Sequence, residues 1–275
     1  MQIREAQVAG TFYPAKKDIL LKTIKNFDVT EPESDLQNVT CIIAPHAGYI
    51  YSGKIAAAAY SYIKNKDFDT VIVISPSHHD YFTGCTSIFE NYITPLGEIS
   101  TYKAFVEKLT AQSGLVTISK KGHGAEHALE VHLPFLQAAI NDFKLVPIVM
   151  GRQNMETAQI LGEDLFKIIQ NEYPDQKFLV VCSSDLSHFY DVEKAGILDG
   201  TVKNDIEAFD ADKLNSDILS KKGEACGYGP VLSGMILSKM MGANKSKIIA
   251  YGTSADVNKD YSSVVGYLSA ILYAN

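Results

Sequence analysis

Seven histidines fall in four places along the chain: His46 in IIAPHAGYIYSG, His78 and His79 in ISPSHHD, His123, His127 and His132 in GHGAEHALEVHLP, and His188 in CSSDLSHF. Imidazole is a good ligand for zinc, iron, copper or nickel, and the side chain best suited to moving a proton near neutral pH. Three of the four places directly follow an apolar run. In open α/β sheets the carboxyl ends of strands are where ligands are held, so residues far apart in sequence can converge there. The chemistry to expect is metal binding, with proton transfer beside it, in one polar site.

His46 follows Pro45, which favours extended backbone in the residue before it, and precedes Gly48 and Gly53 on the way into a helix. His78 lies two residues after Pro76 and repeats the arrangement. Two imidazoles on neighbouring strand ends leave room for further ligands and an open position. His79 reads either as a second ligand or as a structural neighbour. In SSDLSH, Asp185 can fix the tautomer of His188 if the two lie on one side of a helical turn; the alternative is a helix cap beside a surface histidine. GAEHALEVHLP matches neither HExxH nor its inverse, so no zinc peptidase follows from it. Within it, Glu130 and His132 are the expected participants, although Glu126 and Glu130 also read as a solvated i,i+4 face. Cys226, in ACGYGP, sits beside a glycine that lets the backbone approach a ligand closely. Its thiolate would be a soft ligand, a nucleophile or a redox centre; its plain reading is a small buried hydrophobe.

The elements that must position these residues are five continuous apolar runs, at 41–44, 70–75, 144–151, 177–184 and 247–254, the pattern of strands covered on both faces. Pro147 marks the third as an edge or irregular strand. Helical patterns lie at 54–65, 101–112, 131–141, 155–170 and 230–241, and alternation of strand with helix implies a layered α/β sheet. Residues 84–97 read as a pair of strands in a mixed part of the sheet, and 210–225 as an exposed helix and loop. No repeat or long linker divides the 275 residues, which are expected to form a single domain, 1–275.

The net charge is −7 and the only arginines are Arg4 and Arg152, so no basic surface for nucleic acid is expected. The amino-terminal stretch has no apolar signal region and no later run is long enough to span a bilayer, which points to a cytoplasmic protein without a membrane partner. Cys41, Cys85 and Cys182 read as reduced core residues. No GxGxxG or GxxxxGK[ST] loop is present, so no nucleotide cofactor is expected, and no GxSxG elbow suggests a hydrolase.

Taken together and in order, REAQVAGTFYP, IIAPHAGYIYSG, SPSHH, AEHALEVHLPF, VCSSDLSHF and ACGYGP resemble the Memo family, whose microbial members are called AmmeMemoRadiSam system protein B. The resemblance covers essentially the whole chain. It implies a central mixed β-sheet flanked by helices, similar to class III extradiol dioxygenases of the LigB type. It also implies metal ligands at His46, His78 and Cys226, with Asp185 and His188 lining the same cleft and His132 beside them; Asp185, His188, His132 and Cys226 are the catalytic candidates, and the residues themselves add His79 and Glu130 behind the ligands. Extradiol enzymes hold non-haem iron with two histidines and a glutamate, whereas here the third position is Cys226. A thiolate favours softer metals and is itself oxidisable, so catechol cleavage is not inherited. The leading expectation is an iron- or copper-dependent oxidoreductase acting on a small substrate or oxygen, zinc fitting less well. Two alternatives stand beside it: a non-catalytic cytosolic protein that binds a peptide or small ligand in the same cleft, as animal members bind phosphorylated peptides, and a zinc-dependent hydrolase.

Overall fold

The computed structural model describes residues 2–27, 36 and 38–275. In chain order the strands are β1 (Ile3–Arg4), β2 (Val39–Ala44), β3 (Thr70–Pro76), β4 (Cys85–Ser87), β5 (Asn91–Thr94) and β6 (Gly97–Ile99). They continue as β7 (Val116–Ile118), β8 (Lys144–Met150), β9 (Phe178–Ser183), β10 (His188–Tyr190), β11 (Lys245–Thr253) and β12 (Val264–Tyr273). The helices are α1 (Lys17–Lys25), α2 (Tyr49–Tyr60), α3 (Lys103–Gln112), α4 (Leu133–Ala139), α5 (Met155–Glu172), α6 (Val192–Glu207), α7 (Ala211–Leu219), α8 (Tyr228–Met240) and α9 (Ala255–Asn258).

The large sheet runs β10-β12-β2-β9-β3-β8-β4-β7, with β11 also paired to β12. Its centre, β2-β9-β3-β8, is parallel, whereas β12 runs antiparallel to β2, β10 and β11 and β4 runs antiparallel to β8. The fold is therefore the expected mixed sheet flanked by helices. Alternate residues of each central strand enter different layers, as the two-residue strand period requires. Ile42, Val71, Val73, Leu179 and Val181 pack with Tyr49, Ala56, Tyr60, Phe135 and Leu136 on the side of α2 and α4. Cys41, Ile43, Ile72, Ile74, Val180 and Cys182 pack with Leu161, Leu165, Val231 and Met235 on the side of α5 and α8.

The structure corrects several sequence expectations. The apolar run at 247–254 is not a strand covered on both faces: β11 lies beyond β12, and most of its residues are partly exposed. The strand that fills the core is β12, which was not among the five runs. Pro147 lies inside the sheet, yet locally on an open side. Leu145 turns its N–H and carbonyl to Ser100 and Tyr102, so Pro147, two residues on, faces the same way. β4 pairs only with Val149 and Met150, and the missing N–H costs no ladder bond. Helix α2 starts at Tyr49, ahead of the helical pattern expected at 54–65, and Ser52 within it donates its hydroxyl to the Ala47 carbonyl. The pair expected at 84–97 divides, β4 joining the large sheet and β5 a separate β1-β5-β6 sheet. Helix α7, capped by Asp210, occupies the stretch expected to be an exposed helix.

Candidate metal centre

Three parallel strands lie side by side in the order β2, β9, β3, and each delivers one polar residue two positions beyond its end: His46, Asp185 and His78. Parallel strands finish at the same edge, so this is where sequence-distant groups must meet. Cys226 arrives from the other direction, at the turn into α8. Gly227 makes that turn possible, because a Cβ there would overlap the Ser183 carbonyl and press on the Ser184 side chain. Its N–H is held by Ser184 Oγ at 2.9 Å, and the Cys226 N–H by the Asp185 carbonyl at 3.1 Å, so the thiol is fixed against the end of β9.

The donor atoms of His46, His78 and Cys226 all lie within 4.8 Å of one another. The His46 and His78 ring centres are 5.0 Å apart and the Cys226 Sγ is 3.2 Å from His46 Nε2. Hydrogen bonds decide which ring nitrogens are free. The Ser183 hydroxyl donates to the Ala128 carbonyl at 2.6 Å, so at its 2.7 Å contact with His46 Nδ1 it must accept. His46 therefore carries its proton on Nδ1 and turns the Nε2 lone pair to the thiol. Burial, reinforced by the charges of His78, His127, His132 and His188, holds the His46 pKa well below the ordinary 6.5, so the ring is a neutral ligand. Burial, with help from the Asp185 charge, pushes the Cys226 thiol upward. An arriving cation reverses the thiol preference, since a coordinating thiol is deprotonated outright. Two imidazoles and one thiolate suit a transition-metal ion, so the residues present fit the group that sequence resemblance implies.

Asp185 does not orient His188, contrary to the expectation for SSDLSH. Residues 185–187 form no helix; Asp185 Oδ1 accepts the His46 N–H at 2.8 Å and Oδ2 lies 3.9 Å from His46 Nε2. Burial raises this carboxyl to about 7, against the lowering effects of the His46 and Ala47 N–H groups and of His78. His188, on β10, instead donates from Nδ1 to the Leu186 carbonyl at 2.8 Å, which leaves Nε2 as an acceptor. Its pKa is lowered by burial, with a smaller contribution from the charge of His78, and its own charge is felt at His46.

Residues 4–271 match the Memo-like protein family. The chain belongs to the Memo family. It is 40% identical to a MEMO1 family protein of Methanobrevibacter smithii, covering 98% of this chain and 99% of that one. Its identity to a MEMO1 family protein of Methanocaldococcus jannaschii is 36%, with 98% and 99% covered. A solved structure of an uncharacterised protein from Escherichia coli K12 aligns with a TM-score of 0.44 at 11% identity, over 85% of this chain and 99% of that one.

Within this Memo chain three expected site residues lie elsewhere. Glu130 is not beside His46, His78 and Cys226: it is fully buried and receives Arg4 at 2.6 Å, the Tyr13 hydroxyl at 2.7 Å and the N–H groups of Gln7 and Val8. His132 lies in the interior, its Nδ1 on the Tyr60 hydroxyl at 2.9 Å, and burial lowers its pKa to about 3. His79 is exposed and belongs to neither metal-capable group among the described residues.

Their places are taken by His127 and Glu126. The His127 ring stacks on His78 at 4.8 Å and stands edge-on to His46 at 5.4 Å. His78, Glu126 and His127 themselves form a second group with donor atoms within 4.8 Å. Burial tends to raise the Glu126 carboxyl, but the hydrogen bonds and charge of His78 outweigh it and bring it down to about 2. Helical spacing concealed these two, because residues 124–129 form no regular helix and the facing rule for helices does not apply. The available signal was a histidine next to a carboxylate in a segment that already held two other histidines.

Among the described residues no helix is long and apolar enough to cross a membrane.

Proposed function

We propose that this Memo protein is a metal-dependent oxidoreductase, using iron or copper, that acts on a small substrate or on oxygen in the cleft at the ends of β2, β9 and β3. The observation that carries the reading is the convergence of His46, His78 and Cys226 donor atoms within 4.8 Å. A bound redox metal would supply electron transfer and Lewis acidity. The chain supplies the rest. Ser183 holds His46 with its Nε2 lone pair forward, and Asp185, with a carboxyl near neutrality, can hold or release a proton at Oδ2. His188 accepts a proton at Nε2 while Leu186 fixes its other nitrogen. The likeness to extradiol dioxygenases implied by the sequence motifs agrees with this placement at strand ends, although thiolate in place of carboxylate leaves the reaction open to other oxidations.

The test is metal analysis of untagged protein, as isolated and after anaerobic exposure to iron(II) or copper(I), beside a Cys226→Ala variant. Near-stoichiometric iron or copper in the wild type, with an affinity at least about tenfold lower in the variant, is expected. Zinc alone, inert toward oxygen, would turn the assignment to hydrolysis. No metal under either condition would sink it and favour a binding protein that holds a peptide or small ligand in the cleft.

A further inference from the structure

We propose that Glu126 is a positioning residue of the metal centre, clamping both the backbone and the ring of His78 so that the ring presents Nε2 to the cleft. The proposal rests on the reading of His46, His78 and Cys226 as ligands. Of the two ligand histidines, His78 is the one in need of such a device. The His46 side chain is 2% exposed, whereas that of His78 is 30% exposed and sits on the loop after β3. An imidazole on an exposed loop has several rotamers and two tautomers to lose when a metal binds.

The carboxylate, 1% exposed, removes both freedoms at once. Its Oε2 accepts the His78 N–H at 2.5 Å and its Oε1 contacts His78 Nδ1 at 2.9 Å. The same Oε1 accepts the Ala128 N–H at 3.0 Å, so every group around it is a donor and the His78 proton belongs on Nδ1. A carboxylate on the far nitrogen of a ligand imidazole fixes its orientation and raises its basicity. Behind Oε1 lies His127, whose Nδ1 is 3.3 Å away and whose ring is within 29° of parallel to that of His78, closing the side to which the ring could swing.

The clamp is anchored from the interior. The Glu126 carbonyl accepts Arg4 at 2.8 Å, and the same guanidinium holds the Gly124 carbonyl at 3.1 Å, pairs with Glu130 at 2.6 Å and lies 4.9 Å from the centre of the Tyr92 ring. An amide at position 126 would not substitute. Glutamine has one acceptor oxygen, and its NH2 would face one of the N–H groups that the carboxylate now receives.

Two measurements test this. In metal-free, 15N-labelled protein, long-range proton–nitrogen correlation of the His78 ring is expected to show Nδ1 protonated and Nε2 bare. Glu126→Gln is expected to shift the ring toward the Nε2-protonated form, and to weaken cobalt(II) binding, followed by its thiolate absorption, by about 10–100-fold. A wild-type His78 protonated on Nε2 would overturn the proposal even if the variant fails to fold. So would a folded variant whose tautomer and cobalt affinity, within about twofold, match the wild type. If the wild type takes up no metal the assignment of function fails, while the ring tautomer still judges Glu126.

Discussion

Burial shifts most titratable side chains in and around this site, and its sign differs between imidazole and carboxyl. His123 and His132 are brought by burial to about 4 and about 3 from the ordinary 6.5, so the folded chain leaves them neutral where the unfolded chain protonates them. The stability they contribute is complete above pH 6.5 and is lost as pH falls toward those values. His46, His127 and His188 are shifted in the same direction, with burial again the leading cause. Asp185, raised by burial to about 7 from 3.8, works the other way, its contribution being present below 3.8 and lost as pH rises through 7. Burial raises Asp199 and Asp205 as well, so between pH 6.5 and 5 five imidazoles oppose three carboxyls. Urea denaturation of the metal-free protein should therefore give a lower midpoint at pH 5 than at pH 6.5, and Asp185→Asn should enlarge the difference. An equal or higher midpoint at pH 5 would contradict this account.

Elements hold the site through close approaches that glycine alone permits. Helix α8 crosses β2 and β9 at Gly234, where a Cβ would overlap the Cys182 sulfur and come within 3.2 Å of that of Cys41. The two sulfurs are 3.6 Å apart and fully buried, filling the space that the glycine leaves. In an exposed helix, Gly→Ala would gain about 1 kcal/mol. Here overpacking should win, and Gly234→Ala is expected to destabilise by about 1–3 kcal/mol. In the background of Cys182→Ala the same substitution should cost less, giving a coupling of at least about 1 kcal/mol in a double-mutant cycle. Simple additivity would show that the sulfurs do not set the spacing of α8. Cys226 lies two residues before the start of α8, joined to it through Gly227.

Over the whole molecule, the amino-terminal segment locks a loop that lies more than a hundred residues away. Arg4 and Glu130 form an ion pair with side chains 8% and 0% exposed, and Glu130 also receives Tyr13 and two backbone N–H groups of the segment. Breaking such a pair leaves the buried carboxylate with its neutral donors but without its countercharge. Arg4→Met should cost about 3–5 kcal/mol in denaturant unfolding. A loss below about 1 kcal/mol would mean that the segment packs independently of the pair. Phe12, from the same segment, lies 4.6 Å from the His127 ring, and its carbonyl accepts the first N–H of α2 at 2.7 Å, so the segment also borders the candidate metal centre.

The sequence by itself determined the layered α/β architecture, because continuous apolar runs alternating with helical patterns leave few other ways to bury both. Position along the sequence picked out His46 and His78 as the residues to bring together, and the resemblance of the motifs to the Memo family added Cys226. Asp185 and His188 were legible as polar residues following a strand, but their separation was not, since it depends on β10 beginning where a helical turn was expected. Tertiary structure alone decided that Glu130 and His132 belong to the interior and that Glu126 and His127 reach the site. The segment from 123 to 132 has no regular period through its first half, so spacing could not tell its two ends apart. What separates them is the set of partners, Arg4 and the amino-terminal N–H groups for Glu130 and the His78 loop for Glu126, each supplied by a different part of the chain.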